Sequence, residues 1–295
     1  MRVRTLAVAL LASGLALTAC GKEGSPGEGT PAPTQAVAQD VKVEGSPTFD
    51  KIKSRGKVII GVKEDQPGLG LKDSKTGKFT GFDIEIAKLI AAKLGFTEDK
   101  IEYKAIASAG REQALINGDV DYYVGTYTIN AKRKEQIGFA GPYFTAGQDL
   151  LVRKGDDSIK GPDTLKGKKV CSVTGSTPIQ YVKTNALTEP ENILEFQNYS
   201  QCVQQLDQGA VDAVTTDDAI LKGYASLEPD KFRVVGKPFT KEPYGVGLAK
   251  DDKALRTKIN DILDEAISGS AWQQIYDATL GKSGSSADKP VIDRY

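Results

Sequence analysis

The chain repeats its own plan. Leu115-Ile116-Asn117-Gly118-Asp119-Val120-Asp121 and, about 90 residues later, Leu206-Asp207-Gln208-Gly209-Ala210-Val211-Asp212 each read as a helix end capped by glycine that runs into a strand. The two strands close in Val124-Gly125-Thr126 and Val214-Thr215-Thr216, so both present hydroxyls at a carboxyl end, where ligands bind in open α/β sheets. A match this short also arises by chance. Taken as a real repeat, it predicts two similar lobes that face one another across one cleft.

The remaining pattern fits two lobes. Residues 57–62 form a short apolar strand candidate, followed by a Gly/Pro-rich loop, a hairpin-like turn at 73–78 and a helix over 82–94. In that helix Ile84, Ala87, Ile90, Ala91 and Leu94 fall at helical spacing. Segments 101–105, 111–116, 121–124 and 131–136 continue the alternation, which is the rhythm of an α/β sheet with parallel strands. Residues 141–154 read as a strand leaving the first lobe and 243–250 as one returning. An amphipathic helix with Leu255, Ile259, Ile262, Leu263 and Ile267 on one face follows, then a shorter one over 272–280; both are expected to pack back on the first lobe. A double crossover leaves a two-stranded hinge, which permits closure around a ligand. From Gly281 onward the chain is polar and expected to fray.

At the amino end, Arg2 and Arg4 precede an apolar run over 6–17 that is short for a membrane-spanning helix and reads as a signal peptide. Leu17-Thr18-Ala19-Cys20-Gly21 resembles a lipobox, which would make Cys20 the lipidated first residue; the alternative is a cut elsewhere and an incidental cysteine. The expected location is the extracellular face of the cytoplasmic membrane, held by a lipid anchor. Residues 21–47 are rich in Gly, Pro, Ser, Thr and Ala and too poor in large apolar groups to offset their ordering entropy, so they read as a flexible tether. The expected organisation is a signal peptide over 1–19, a lipidated tether over 20–47, a discontinuous first lobe over 48–147 and 244–282, a second lobe over 148–243 and a tail over 283–295.

Composition narrows the chemistry. Lys and Arg number 39, as do Asp and Glu, so net charge points neither to nucleic acid nor to a membrane-binding surface. The sequence has no histidine, which removes the usual general base and the commonest metal ligand; neither a metal nor a cofactor is expected. Of three cysteines, Cys171 and Cys202 are left once Cys20 is assigned to lipid. In an oxidising compartment they form a disulfide, or else remain two buried thiols.

Gly81-Phe82-Asp83-Ile84-Glu85, the Arg111-Glu112-Gln113-Ala114 stretch running to Asp121, Thr126-Tyr127-Thr128 leading to Arg133, Asp217 after Ala213-Val214-Thr215-Thr216, and Tyr244-Gly245-Val246-Gly247 follow one another in fixed order. In that order they resemble the polar amino-acid-binding proteins of ABC importers, over nearly everything from 49 to 280. The resemblance implies a two-lobed α/β fold of the periplasmic-binding-protein-like type II, with the ligand in the interlobe cleft. It also implies a monomer that performs no catalysis and hands its ligand to a membrane permease.

An amino acid brings a carboxylate and an ammonium, and a dry cleft must satisfy both because an unpaired buried charge is costly. Arg133 suits the carboxylate through its bidentate fork, and the resemblance places it there with Thr128 and Thr177; beside Lys132 and Lys134 it also reads as a surface arginine. Asp217 would take the ammonium, aided by Thr126 or Thr128, although an aspartate at a helix start is often only an N-cap. Thr174-Gly175-Ser176-Thr177-Pro178 precedes a helix whose free N–H groups form an anion site, or is an ordinary capped turn. Lys63 in the first loop and the pair Ser108 and Arg111 look like the glutamate- and aspartate-selective branches of the family. Cations beyond Arg133 call for a second carboxylate, so L-glutamate is the expected ligand; a surface ion pair with Glu64 or Asp65 is the plainer reading of Lys63. Tyr199 stands where some acidic-amino-acid binders carry histidine, and its hydroxyl is a further candidate contact. Other readings are a binder of glutamine, aspartate or another polar amino acid, a sensory lipoprotein, and a dehydratase-like enzyme on the same scaffold.

Overall fold

The computed structural model describes residues 33–284 and 287–295; the expected signal peptide, Cys20 and the tether as far as residue 32 lie outside the described residues. Helix α1 (Pro47–Arg55) opens the first lobe. Ser46 accepts from the Phe49 N–H, Pro47 occupies the first turn where no N–H is needed, and Gly56 ends the helix in the left-handed region. Strand β1 (Val58–Val62) leads into a small antiparallel sheet of β2 (Asp65–Gln66), β3 (Gly70–Lys72) and β4 (Phe79–Thr80). Helix α2 (Phe82–Lys93), strand β5 (Ile101–Ala105), helix α3 (Arg111–Asn117), strand β6 (Tyr122–Tyr123), helix α4 (Ala131–Lys134) and strand β7 (Gly138–Ala146) complete the outward path.

Strand β8 (Gln148–Arg153) begins the second lobe, which continues through β9 (Val170–Val173), α5 (Thr177–Thr184), β10 (Ile193–Phe196), α6 (Tyr199–Asp207), β11 (Ala213–Asp217), α7 (Asp218–Leu227) and β12 (Phe232–Val234). Strand β13 (Glu242–Leu248) returns to the first lobe and is followed by α8 (Lys253–Ser268) and α9 (Ala271–Ala278). The main sheets run β5-β1-β6-β13-β7 and β10-β9-β11-β8-β12, so each lobe is built on one five-stranded sheet, as the internal repeat requires.

The parallel rhythm holds at the heart of each sheet, where β1 pairs with β5 and β6, and β9 with β10 and β11. The crossing strands depart from it. Strand β13 lies antiparallel on β6 and β7, and β8 lies antiparallel on β11 and β12, because a strand arriving from the other lobe takes its direction from the crossing and not from a βαβ turn. The single strand expected over 141–154 is therefore two, broken at Gly147. A Cβ there would lie 2.7 Å from the Thr240 carbonyl oxygen, so glycine is what lets the two connections approach.

Helix α2 buries residues on nearly every side, Phe82, Ile84, Ile86, Leu89 and Ile90 among them, because the sheet lies on one flank and the returning helices on the other. Leu255, Ile259, Ile262, Leu263 and Ile267 of α8 are all buried, as the periodicity predicts. Trp272 is fully buried edge-on to Phe82 at 5.9 Å, and its indole N–H donates to the Tyr143 carbonyl at 2.7 Å.

Both polar ends depart from expectation. Within the segment read as tether, the Ala38 N–H donates to the Ala92 carbonyl (2.9 Å), Val43 is buried, and the Ser46 hydroxyl donates to Asp252 (2.7 Å), so this stretch is docked on the first lobe. The last described residues are held in place as well. The Asp293 N–H donates to the Gly141 carbonyl (2.8 Å), the Tyr295 hydroxyl accepts from the Phe139 N–H (2.8 Å), and the Tyr295 ring lies under Lys134 and Arg256. Composition misjudged both ends because backbone hydrogen bonds and cation–π contacts are available to polar segments that have little apolar surface to bury.

Candidate functional site

The carboxyl ends of β1, β6, β9 and β11 converge on one enclosed space between the lobes. Ser108, Arg111, Thr126, Ser176, Thr177, Pro178, Tyr199, Asp217 and Ile220 line it, and its volume is only about 10 Å³, room for about one water. The first lobe supplies the cations. Arg111 opens α3 with 2 % of its surface exposed; its Nε donates to the Ser108 carbonyl (3.1 Å) and its guanidinium lies 4.2 Å from the centre of the Tyr127 ring. Arg133, in α4, rests 4.9 Å from the centre of the same ring, so one aromatic ring supports two guanidiniums. Arg133 also pairs with Glu112 (3.2 Å) and donates to the carbonyls of Thr128 (2.7 Å) and Gly175 (3.1 Å), the latter across the cleft. Lys63 is 5 % exposed and its ammonium donates to the Ser108 hydroxyl at 2.7 Å.

Burial and proximity shape these charges. Desolvation, then the Arg111 guanidinium, hold the Lys63 amine well below its ordinary range. Burial and Arg111 bring Arg133 down to about 10. Asp83, in the first turn of α2, accepts from the Tyr143 hydroxyl (2.7 Å) and the Thr126 N–H (3.0 Å), while burial pushes its carboxyl up to about 6. Thr126 takes a left-handed conformation with φ 45°, uncommon outside glycine, and the Asp83 contact helps to hold it there.

The second lobe contributes Asp217, at the junction of β11 and α7. Its side chain makes no cap hydrogen bond, so the N-cap reading fails; the neighbouring Asp218 bonds the Gly147 N–H and Lys222 instead. One Asp217 oxygen accepts from the Tyr244 hydroxyl at 2.7 Å. The other, Oδ1, is buried without a protein hydrogen-bond partner among the described residues. Burial, then Glu242, push this carboxyl up to about 8. Tyr199, at the start of α6, is 4 % exposed, and burial moves its phenol up to about 12. Ser176 does cap α5, accepting from the Ile179 N–H at 3.3 Å, while Thr177 faces the cavity and donates to Glu242 at 2.8 Å. Across the cleft, the Thr128 and Thr177 hydroxyls are 3.3 Å apart.

Of the residues singled out in the sequence, Ser108, Arg111, Thr126, Thr177, Tyr199 and Asp217 line the cavity. Lys63, Thr128 and Arg133 stand directly behind that lining, each bonded to a residue that forms it or flanks it. Thr174 does not join them: it is half-buried at the end of β9, and its N–H donates to the Phe196 carbonyl. Neither Lys63 nor Arg133 is the surface residue that its charged neighbours allowed. Sequence reasoning missed Glu112, Glu242 and the support of Tyr127 and Tyr244. The two tyrosines stand inside quoted motifs, but nothing local marks which carboxylate a distant arginine will pair with. Cys171 of β9 and Cys202 of α6 are joined by a disulfide, with Cα atoms 5.5 Å apart.

Comparison with known proteins places the chain in a family. Residues 58–282 match the family described as bacterial extracellular solute-binding proteins, family 3. The chain is 40% identical over 277 residues to the ABC transporter glutamine-binding protein GlnH of Bacillus subtilis (strain 168), covering 93% of this chain and 96% of that one. It is 37% identical over 291 residues to the glutamate-binding protein GluB of Corynebacterium efficiens, covering 95% and 91%. Among solved structures, an ancestral arginine-binding protein bound to glutamine superposes with a TM-score of 0.71 at 40% identity, covering 77% of this chain and 99% of that one.

Proposed function

The chain belongs to family 3 of the bacterial extracellular solute-binding proteins, and from that premise we propose that it captures L-glutamate outside the cell and delivers it to the permease of an ABC importer. The observation that carries the reading is the pairing of an unpartnered carboxylate oxygen with buried cations around one enclosed space. Asp217 Oδ1 faces an ammonium-sized need, because a buried carboxylate without a partner is costly and a ligand ammonium supplies one. Arg133 and Arg111, stacked on Tyr127, offer planar donors for carboxylates, and Lys63 with Ser108 extends that donor surface toward the first loop. An α-carboxylate and a side-chain carboxylate together answer these groups. No reaction is needed: the residues bind, orient and exclude water, and the lobes close over the ligand. Cys20 would tether the mature protein to the membrane through lipid, a reading tested by the mass of its processed amino terminus.

One observation favours glutamine as the second reading. The chain is 40% identical to a glutamine-binding protein of an ABC transporter, and the Lys63 N–H groups can donate to an amide oxygen as they do to the Ser108 hydroxyl. Titration calorimetry of the folded chain against L-glutamate, L-glutamine, L-aspartate and L-arginine decides between them. The expected result is micromolar or tighter binding of glutamate with glutamine at least tenfold weaker. The reverse order would retire the two-carboxylate argument and leave the binding function standing; heat from none of the four would retire the function itself.

A further inference from the structure

Away from the cavity lining, the lobes meet again where β2 packs against α6 and α7. Asp65, in β2 of the first lobe, accepts from the Ser200 N–H through Oδ2 at 3.1 Å. Ser200 is the second residue of α6, where a helix leaves N–H groups with no partner of its own, so the first lobe caps a helix of the second. The Tyr224 hydroxyl of α7 donates to the Asp65 backbone carbonyl and stands 3.3 Å from Asp65 Oδ2. Two residues on, the Pro67 carbonyl faces Gly223 of α7, and a methyl group on Gly223 would lie 2.2 Å from that oxygen. Glycine inside a helix costs about 1 kcal/mol relative to alanine, and here that cost leaves room for the other lobe to sit down.

We propose that Asp65 and Gly223 form a latch that joins the two lobes without touching the ligand, and that it sets how long the closed state lasts and not which amino acid is chosen. Neither residue lines the cavity. The latch nevertheless acts on the site, because the helix turn that Asp65 caps begins with Tyr199, whose side chain does line it. Closing then brings ligand-independent contacts into register, which stabilises the closed population in proportion to their differential strength in the two states. This rests on the closure reading above, but its own test does not need the ligand to be glutamate.

The experiment compares the full chain with Asp65→Ala, Asp65→Asn and Gly223→Ala. The interlobe distance is read by fluorescence energy transfer between one label on each lobe, without amino acid and with saturating L-glutamate, and the dissociation rate by stopped flow. We expect Asp65→Ala and Gly223→Ala to lengthen the mean distance in the unliganded chain and to raise dissociation roughly tenfold, the scale of one hydrogen bond. Association and the glutamate-to-glutamine ratio should stay unchanged. Asp65→Asn should restore most of the effect, because its amide oxygen still accepts from Ser200. Gly223→Ala should keep or raise the melting temperature, which separates the latch from a folding defect. Unchanged distance and dissociation in both variants would overturn the proposal. So would an Asp65→Asn that behaves like Asp65→Ala, because the effect would then be one of charge on nearby Lys63. If no amino acid binds, the binding reading has failed, and the unliganded distances alone still decide the latch.

Discussion

A carboxyl sealed from water resists ionisation, and Asp217, facing Glu242, Asp218, Arg133 and the Tyr244 hydroxyl, is pushed up to about 8. The native chain therefore keeps this proton over a range where the unfolded chain has released it. Its contribution to stability is fullest at acid pH and declines as pH rises from about 4 toward 8. A ligand ammonium reverses the preference by stabilising the carboxylate, so binding should expel a proton. We expect affinity to rise with pH between about 6 and 8, approaching tenfold per unit at the acid end. Calorimetry in buffers of different ionisation enthalpy counts the proton. Glutamine is the cleaner probe because it brings no second carboxylate to Lys63, and a count of zero at pH 6.5 would remove Asp217 as the ammonium partner. Arg111 makes a different prediction. Truncating one member of a buried charge pair typically costs about 2–5 kcal/mol, so Arg111→Ala should weaken glutamate by at least about 30-fold and glutamine much less. Equal losses would mean that the guanidinium works only through its stacking on Tyr127. The grouping of the cations and Asp217 around one space was legible through the motif order that carries the family resemblance, since each residue alone also read as a surface arginine, an ion-pair lysine or an N-cap. Glu112, which pairs with Arg133, and the twisted Thr126 were not, because each depends on what the folded chain brings beside it.

Elements with strong periodicity were the readable ones. The apolar strand at 57–62 and the helices at 82–94 and 255–267 appear close to their expected bounds, since an alternating or 3.6-residue pattern follows directly from which face is buried. The break at Gly147 was hidden, because both halves of 141–154 are apolar and the cause of the break is the distant Thr240 carbonyl. Strand β6 is only two residues long, too short for any pattern to define it. The disulfide acts at this scale. It ties β9 to α6, the helix that presents Tyr199 to the cavity and Ser200 to the other lobe, across a sequence separation of 31. Loop-closure entropy for a span of that size corresponds to about 3–4 kcal/mol. The Cys171→Ala, Cys202→Ala double variant should lose about that much unfolding free energy in denaturant titration, with its melting temperature lower by roughly 10 °C. A loss under about 1 kcal/mol would show that packing around α6 already does what the bridge was thought to do.

Two lobes joined by crossing strands can unfold as one body or as two, and the core indicates which. One apolar cluster runs from Ile60 and Val124 in the first lobe, through Phe144 and Tyr244 on the crossing strands, to Leu151, Val214 and Cys202 in the second. Strands β7 and β13 pair antiparallel along this path, so neither sheet can lose its edge without disturbing the other connection. The interlobe cavity lies across the same junction, with Arg111 and Thr126 on one side and Thr177 and Asp217 on the other. A ligand held by both lobes stabilises whatever unit unfolds together, and free ligand at 100 times its Kd adds about 2.7 kcal/mol. For a chain of this size that corresponds to roughly 5–10 °C. Scanning calorimetry should therefore show a single transition that moves upward as a whole when glutamate is added. Two transitions of which only one moves would place the ligand within one lobe, and the residues of the other would then be bystanders to binding.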